Sequence, residues 1–187
     1  MQETYKHYQL LITLEEIEPA IWRRLHVPAN ISFHRLHKII QAAFDWQDYH
    51  LYSFEFSDFL IIEPGGDFSF HEVEKAPKKV KVEQVMEQYE ECVYEYDFGD
   101  GWLHRITLEE TFELPVKEVV CTGGERSRPP EDVGGPGGYA YFLSVIRSPE
   151  DEDYENMLAW AEKDTNGRKF DPEYFYREKV NRKLKRV

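Results

Sequence analysis

The sequence has little cysteine, no long apolar run and a deficit of basic residues. Its 187 residues include two cysteines, Cys92 and Cys121, which are too few for a disulfide framework and lack the close spacing of a zinc knuckle. No stretch approaches the roughly 20 apolar residues that span a bilayer, and the first residues lack the apolar core of a signal peptide. We therefore expect a cytoplasmic protein with reduced thiols and no membrane partner.

The deficit of basic residues limits how the chain could bind nucleic acid. There are 23 Lys and Arg against 36 Asp and Glu, a net charge of −13. Nonspecific binding over a large surface is excluded, because that affinity comes mostly from Lys and Arg displacing counterions. A local basic patch is the remaining route, and the end of the chain supplies one: Arg177, Lys179, Arg182, Lys183, Lys185 and Arg186. The alternative is that these residues only complement the dipole of a final helix.

Aromatic residues are abundant, at 15% of the chain, so there is enough large apolar surface for a folded core. We expect a single domain over residues 1–187. Alternating apolar residues predict two strands over 5–15 and 20–27 that form a hairpin. A helix capped by Ser32 should follow and end near Asp45, before a strand over 51–56.

The second half of the chain predicts more strands and then helices. Short strands at 59–62 and 68–73 flank a turn at 64–67, and a short helix lies within 77–91; strands then cover 92–98, 102–112 and 116–121. A long Gly/Pro loop, 121–138, precedes a helical part, 139–187, whose last helix has Pro172 in its first turn. The predicted fold class is α+β: a largely antiparallel sheet starting with a ββαβ unit, helices packed on one face, and C-terminal helices.

The Gly99-Asp100-Gly101 segment is the strongest hairpin signal in the chain. A two-residue turn at 100–101 would place Asp97 opposite His104, close enough to hydrogen-bond. Asp-His pairs serve general-base chemistry and metal sites. The alternative is that Asp97 and Asp100 satisfy turn amides while His104 fills the sheet.

His50 lies where the first helix gives way to a strand. Together with Asp97, Asp100 and His104 it supplies nitrogen and oxygen ligands that a divalent metal could use, although no spacing matches an established zinc motif. No cofactor is predicted, and a divalent metal is the alternative.

Five motifs occur in order along nearly the whole chain. They are Ile21-Trp22-Arg23-Arg24; Phe44-Asp45-Trp46 with His50-Leu51; Tyr94 through His104; Pro129 through Gly135 with Gly138-Tyr139; and Phe170-Asp171-Pro172-Glu173. Together they resemble the plasmid pRiA4b open-reading-frame-three-like family, whose members also include passenger proteins of insertion elements. The resemblance implies an α+β fold and no established activity, cofactor or substrate. Its motif residues form the candidate site, without assigned roles: His50, Asp97, Asp100, His104, Glu131 and Asp132.

Two classes of function follow. The favoured one is a binding or interaction module of that family for an unknown protein or small ligand, because no catalytic constellation is complete. One alternative is a metal-assisted hydrolase acting on phosphodiesters, with His50, Asp97 and Asp100 as ligands and His104 or Glu131 as acid or base. The other is a DNA-binding accessory protein of a mobile element that uses the basic C-terminal segment.

Overall fold

The structure is a computed structural model that describes residues 3–63 and 74–187. The predicted turn at 64–67 and the strand at 68–73 lie outside the described residues. The strands are β1 (Tyr5–Leu14), β2 (Ile21–Pro28), β3 (Tyr52–Glu55), β4 (Leu60–Ile61), β5 (Glu74–Lys75), β6 (Glu91–Tyr96), β7 (Trp102–Leu114) and β8 (Val120–Glu125). The helices are α1 (Phe33–Phe44), a 3₁₀ turn at Val82–Gln84, α2 (Met86–Tyr89), α3 (Gly135–Ile146), α4 (Tyr154–Asp164) and α5 (Arg177–Leu184).

The strands form one sheet in the order β5-β4-β3-β6-β7-β1-β2-β8. Every pair is antiparallel except β4 with β5. The period-two series in β1, Tyr8, Leu10, Ile12 and Leu14, is buried, as a strand with one face against the core requires. The α+β class, the largely antiparallel sheet and the opening ββαβ order are confirmed.

The first helix forms where its cap predicts. The Ser32 hydroxyl accepts a hydrogen bond from the Arg35 amide at 3.2 Å, which satisfies one free N–H of the first turn. The helix ends at Asp45, whose backbone is left-handed with φ 74°. This ending turns the chain away from the helix axis and toward His50 and β3.

Three predicted boundaries are wrong. Residues 121–125 belong to β8 rather than to the loop, because they pair with β2 and so satisfy their amides in the sheet. The third helix begins at Gly135 and not at Tyr139. The last helix begins at Arg177, because the carbonyl of Pro172 accepts a hydrogen bond from the Ser127 amide at 3.0 Å and the segment between them stays non-helical.

Within residues 3–63 and 74–187, the helices are all too short or too polar to cross a bilayer.

Candidate functional site

The connection between β6 and β7 has five residues, so the predicted two-residue turn is wrong. The last pair of the two strands is Tyr96 with Trp102. Asp97 leaves the strand with φ 60°, and its Oδ1 accepts hydrogen bonds from the amides of Gly99 at 3.0 Å and Asp100 at 3.4 Å. A short carboxylate that bonds amides two and three residues ahead favours a wider turn over continued pairing. The alternative reading of Asp97 as a turn residue is therefore correct for one of its oxygens.

This register separates His104 from Asp97 and corrects the predicted acid-imidazole pair. His104 pairs with Tyr94 and is completely buried. Its Nδ1 contacts the Trp102 carbonyl oxygen at 3.0 Å, and its Nε2 accepts a hydrogen bond from Trp46 Nε1 at 3.2 Å. Burial lowers the pKa of His104 to about 4. His104 is thus a neutral core residue, away from the other candidate side chains.

His50 is brought together with three carboxylates from two other segments. Its Nε2 lies 3.3 Å from Asp132 Oδ1, 3.6 Å from Asp97 Oδ2 and 3.7 Å from Glu131 Oε2. This Nε2 is buried and makes no hydrogen bond within the described residues. We call these four residues, His50, Asp97, Glu131 and Asp132, the His-carboxylate cluster.

The backbone and neighbouring side chains hold the cluster in place. The Gln47 amide donates to Glu131 Oε1 at 2.6 Å, and the Tyr49 amide donates to the Tyr96 hydroxyl at 3.1 Å. The same hydroxyl lies 3.3 Å from Glu131 Oε2. The segment after α1, the end of β6 and the loop before α3 are therefore linked through Glu131.

The two aspartates of the cluster are held differently from the glutamate. Asp97 and Asp132 both have left-handed backbones, with φ 60° and 55°. Asp97 and Glu131 are buried, whereas the Asp132 side chain is 70% exposed. One side of the cluster is consequently open to solvent.

The electrostatics of the cluster are unbalanced. Three carboxylates face one imidazole, and burial raises the pKa of the Glu131 carboxyl above its ordinary value. His50, Asp97 and Asp132 each offer one ligand atom, and these atoms lie within 4.8 Å of one another. Within the described part of the chain, this is the one group of three or more such side chains with metal-compatible spacing.

Asp100 has a separate role in the same region. Its Oδ2 accepts a hydrogen bond from the Gly134 amide at 3.0 Å, which ties the β6–β7 turn to the start of α3. Gly135 is close to the same turn, since a Cβ there would lie 2.5 Å from the Asp100 carbonyl oxygen. Asp100 thus positions the loop that carries Asp132 and is not a member of the cluster.

The basic residues of the C-terminal segment do not form one continuous patch. Lys183 pairs with Asp45, and Arg177 lies 3.6 Å from Glu178. Arg177, Arg182 and Lys185 line an open groove beside β8, whereas Lys179 and Lys183 line an enclosed cavity beside α1. A nucleic-acid contact through this segment stays a prediction.

Sequence reasoning named every member of the cluster but missed the residues that support it. Gln47 and Tyr96 act through a backbone amide and through a hydroxyl that comes from a different strand. Gln47 lies inside the second motif and Tyr96 inside the third, and this proximity to His50 and Asp97 is the one signal that could have identified them.

Comparison with known proteins gives the chain its relatives. The model of the plasmid pRiA4b ORF-3-like protein family matches residues 6–179. The chain is 35% identical over 159 residues to the uncharacterized protein y4hQ of Sinorhizobium fredii, covering 82% of this chain and 79% of that protein. A crystal structure of the protein of unknown function MM3350 from Methanosarcina mazei Go1 is 37% identical, with a TM-score of 0.82, covering 96% of this chain and 99% of that one. The chain therefore belongs to the plasmid pRiA4b ORF-3-like family.

Proposed function

We propose that the protein binds one divalent cation at the His-carboxylate cluster. His50, Asp97 and Asp132 would be the ligands, with Glu131 beside them. The observation that carries the proposal is His50 Nε2, which is buried, has no hydrogen bond among the described residues and faces three carboxylate oxygens at 3.3–3.7 Å. Ligand atoms about 2.1 Å from a tetrahedral metal are roughly 3.4 Å apart, which is the spacing found here.

The charges of the cluster support the same proposal. Two carboxylates with oxygens 4.8 Å apart repel by roughly 3 kcal/mol at an effective dielectric constant of 20, before screening by solvent. Asp97 and Glu131 are buried, so water screens them less than it screens Asp132. A divalent cation would replace this repulsion with attraction to all three carboxylates.

The donor set indicates which cation to test. One imidazole nitrogen with carboxylate oxygens suits Zn²⁺ and Mn²⁺ better than Mg²⁺, which prefers oxygen ligands and retains several waters. We therefore expect Zn²⁺ and Mn²⁺ to bind more tightly than Mg²⁺.

Calorimetric titration of the metal-free protein tests the proposal. We expect one Zn²⁺ or Mn²⁺ per chain, and at about 100 times the dissociation constant an increase in Tm of roughly 5–10 °C. Asp97→Asn and Asp132→Asn should each weaken binding by at least about 100-fold, because each removes a charged ligand.

Asp100→Asn is the matched control. It makes the same change of charge in the same turn, at a carboxylate that accepts the Gly134 amide and lies outside the cluster. It should leave the metal affinity within about threefold of the wild type. If no metal binds, or if all three substitutions weaken binding equally, the cluster is an ion-paired His50 and the proposal is wrong.

A second candidate function is metal-assisted hydrolysis of phosphodiesters. It is favoured by the exposed side of the cluster at Asp132, and by the presence of three proposed protein ligands, which would leave a fourth position for water. Glu131 would then accept a proton from that water as general base.

The test is turnover of bis(p-nitrophenyl) phosphate in the presence of Zn²⁺ or Mn²⁺. Glu131→Gln should abolish turnover while retaining metal, since Glu131 is not one of the three ligands. Absence of turnover in a metal-loaded wild type would leave the protein as a binding module.

We also propose a cytoplasmic location. Cys92 and Cys121 are both free and buried, which suits a reducing compartment. Thiol titration of protein purified from its own cells under denaturing conditions should give two reduced cysteines per chain, and finding them oxidised would contradict this location.

A further inference from the structure

A second site candidate is an enclosed cavity of about 40 Å³ that shares no residue with the His-carboxylate cluster. It lies between the C-terminal end of α1, the segment after β8, the residues following α4, and α5. Its walls combine aromatic and aliphatic side chains with five cationic ones: Arg23, Arg128, Arg168, Lys179 and Lys183.

Two of these cations are neutralised by carboxylates. Lys183 pairs with Asp45, and Arg128 donates to Asp164 Oδ2 at 2.6 Å. Both pairs are complete without any ligand, so these residues do not indicate one.

The other three cations have no carboxylate partner among the described residues. Arg23 is buried and donates to four backbone carbonyls, including that of Ala43 at 3.0 Å. Burial lowers the pKa of Arg23 to about 10. Lys179 lies with its Nζ 5.7 Å from the centre of the Tyr174 ring. An excess of positive charge is thus concentrated at one cavity in a chain of net charge −13.

Arg168 is the group that points to a ligand. Its guanidinium carbon lies 4.0 Å from the centre of the Tyr174 ring, so the stacking holds the group beside the cavity. Its Nε and Nη1 are buried and have no acceptor within the described residues. Leaving buried charged donors unsatisfied is costly, and an anion that accepts from them would remove this cost.

The size of the cavity limits the anion. A volume of about 40 Å³ holds about three water-sized groups, which matches the three heavy atoms of a carboxylate better than the five of a phosphate group. Phe44, Phe175 and Val180 provide apolar walls for the carbon that carries the charged group. We propose that this cavity binds the carboxylate group of a small organic acid, with Arg168 and Lys179 as its recognition residues.

Two-dimensional amide NMR with propionate and benzoate as probes tests the proposal on full-length, metal-free protein at constant ionic strength. We expect saturable shifts at residues lining the cavity, with a dissociation constant of about 1 mM. Arg168→Gln should weaken binding roughly tenfold or more, because it removes the charged donors. Arg168→Lys should recover part of the loss by restoring the charge, and Lys179→Gln gives a second test should Arg168→Gln fail to fold.

Lys169→Gln is the matched control. It removes the same charge from the neighbouring residue, which is exposed and does not line this cavity. The proposal predicts unchanged affinity in this variant. Equal weakening by Lys169→Gln and Arg168→Gln would identify general electrostatic attraction, and absence of saturable shifts up to about 50 mM would leave no site.

Further measurements separate this site from other anion-binding explanations. Asp97→Asn should bind benzoate as the wild type does, whereas loss of binding there would place the acid at the His-carboxylate cluster. Tighter binding of inorganic phosphate than of benzoate would overturn the carboxylate assignment. A duplex oligonucleotide that displaces benzoate, with salt-dependent affinity, would overturn it in favour of nucleic acid.

Discussion

The buried imidazole of His104 should make the protein lose stability in mild acid. Its Nδ1 is within hydrogen-bonding distance of a backbone carbonyl, and its Nε2 already accepts the indole N–H of Trp46. A second proton on Nε2 would face that indole donor, so only the neutral ring is satisfied. Together with complete burial, this explains a pKa lowered to about 4.

The direction of the effect follows from linkage. In the unfolded chain a histidine has a pKa of about 6.5, so acidification protonates the unfolded state first. The stabilising contribution of neutral His104 is complete above about pH 6.5 and is lost as the pH falls toward 4. The difference of roughly 2.5 pKa units corresponds to about 3 kcal/mol.

His104→Gln isolates this term. Glutamine cannot titrate, and its amide oxygen can still accept from Trp46. Burial also lowers the pKa of His37 to about 4, so the wild type contains a second acid-sensitive term, and only the difference between wild type and variant belongs to His104. In urea unfolding, that difference should be constant above about pH 7 and should shrink by about 1 kcal/mol per pH unit near pH 5.

The result that refutes this reasoning is a parallel pair of curves. If the unfolding free energies of wild type and His104→Gln fall with the same slope from about pH 7 to pH 4.5, the unfolded and folded states protonate His104 alike. The hydrogen bond from Trp46 would then not keep the ring neutral.

Three further outcomes are expected. Gly138→Ala should lower the unfolding free energy by about 2 kcal/mol or more, because its Cβ would lie 1.9 Å from a backbone oxygen, whereas Gly137→Ala, with no atom within 4 Å, should stay within about 1 kcal/mol of the wild type; urea unfolding measures both. Asp164→Asn should cost about 3 kcal/mol in the same assay, since it leaves the buried Arg128 charge without its carboxylate, and a loss below about 1 kcal/mol would contradict that pairing. Cys92 should react with Ellman's reagent only after unfolding, because burial raises the pKa of its thiol, and a rapid reaction of the folded protein at this residue would disprove its burial.

The elements whose signals are local could be predicted from the sequence. The alternation through Tyr8 and Leu14 and the Ser32 cap specify β1 and α1, because each depends on neighbours within a few residues. The family motifs likewise identified the members of the His-carboxylate cluster, although not their arrangement. The fold class followed from the order of such elements.

The register and the site depended on contacts between distant segments. The turn after Tyr96 widened because the Asp97 carboxylate bonds its own turn, and that change moved His104 into the core. The cluster itself exists because Glu131 accepts an amide hydrogen bond from Gln47, 84 residues earlier in the chain. Residue patterns thus determined which strands and helices form, whereas long-range hydrogen bonds and burial decided which of the candidate side chains meet, because local periodicity does not encode how distant segments pack.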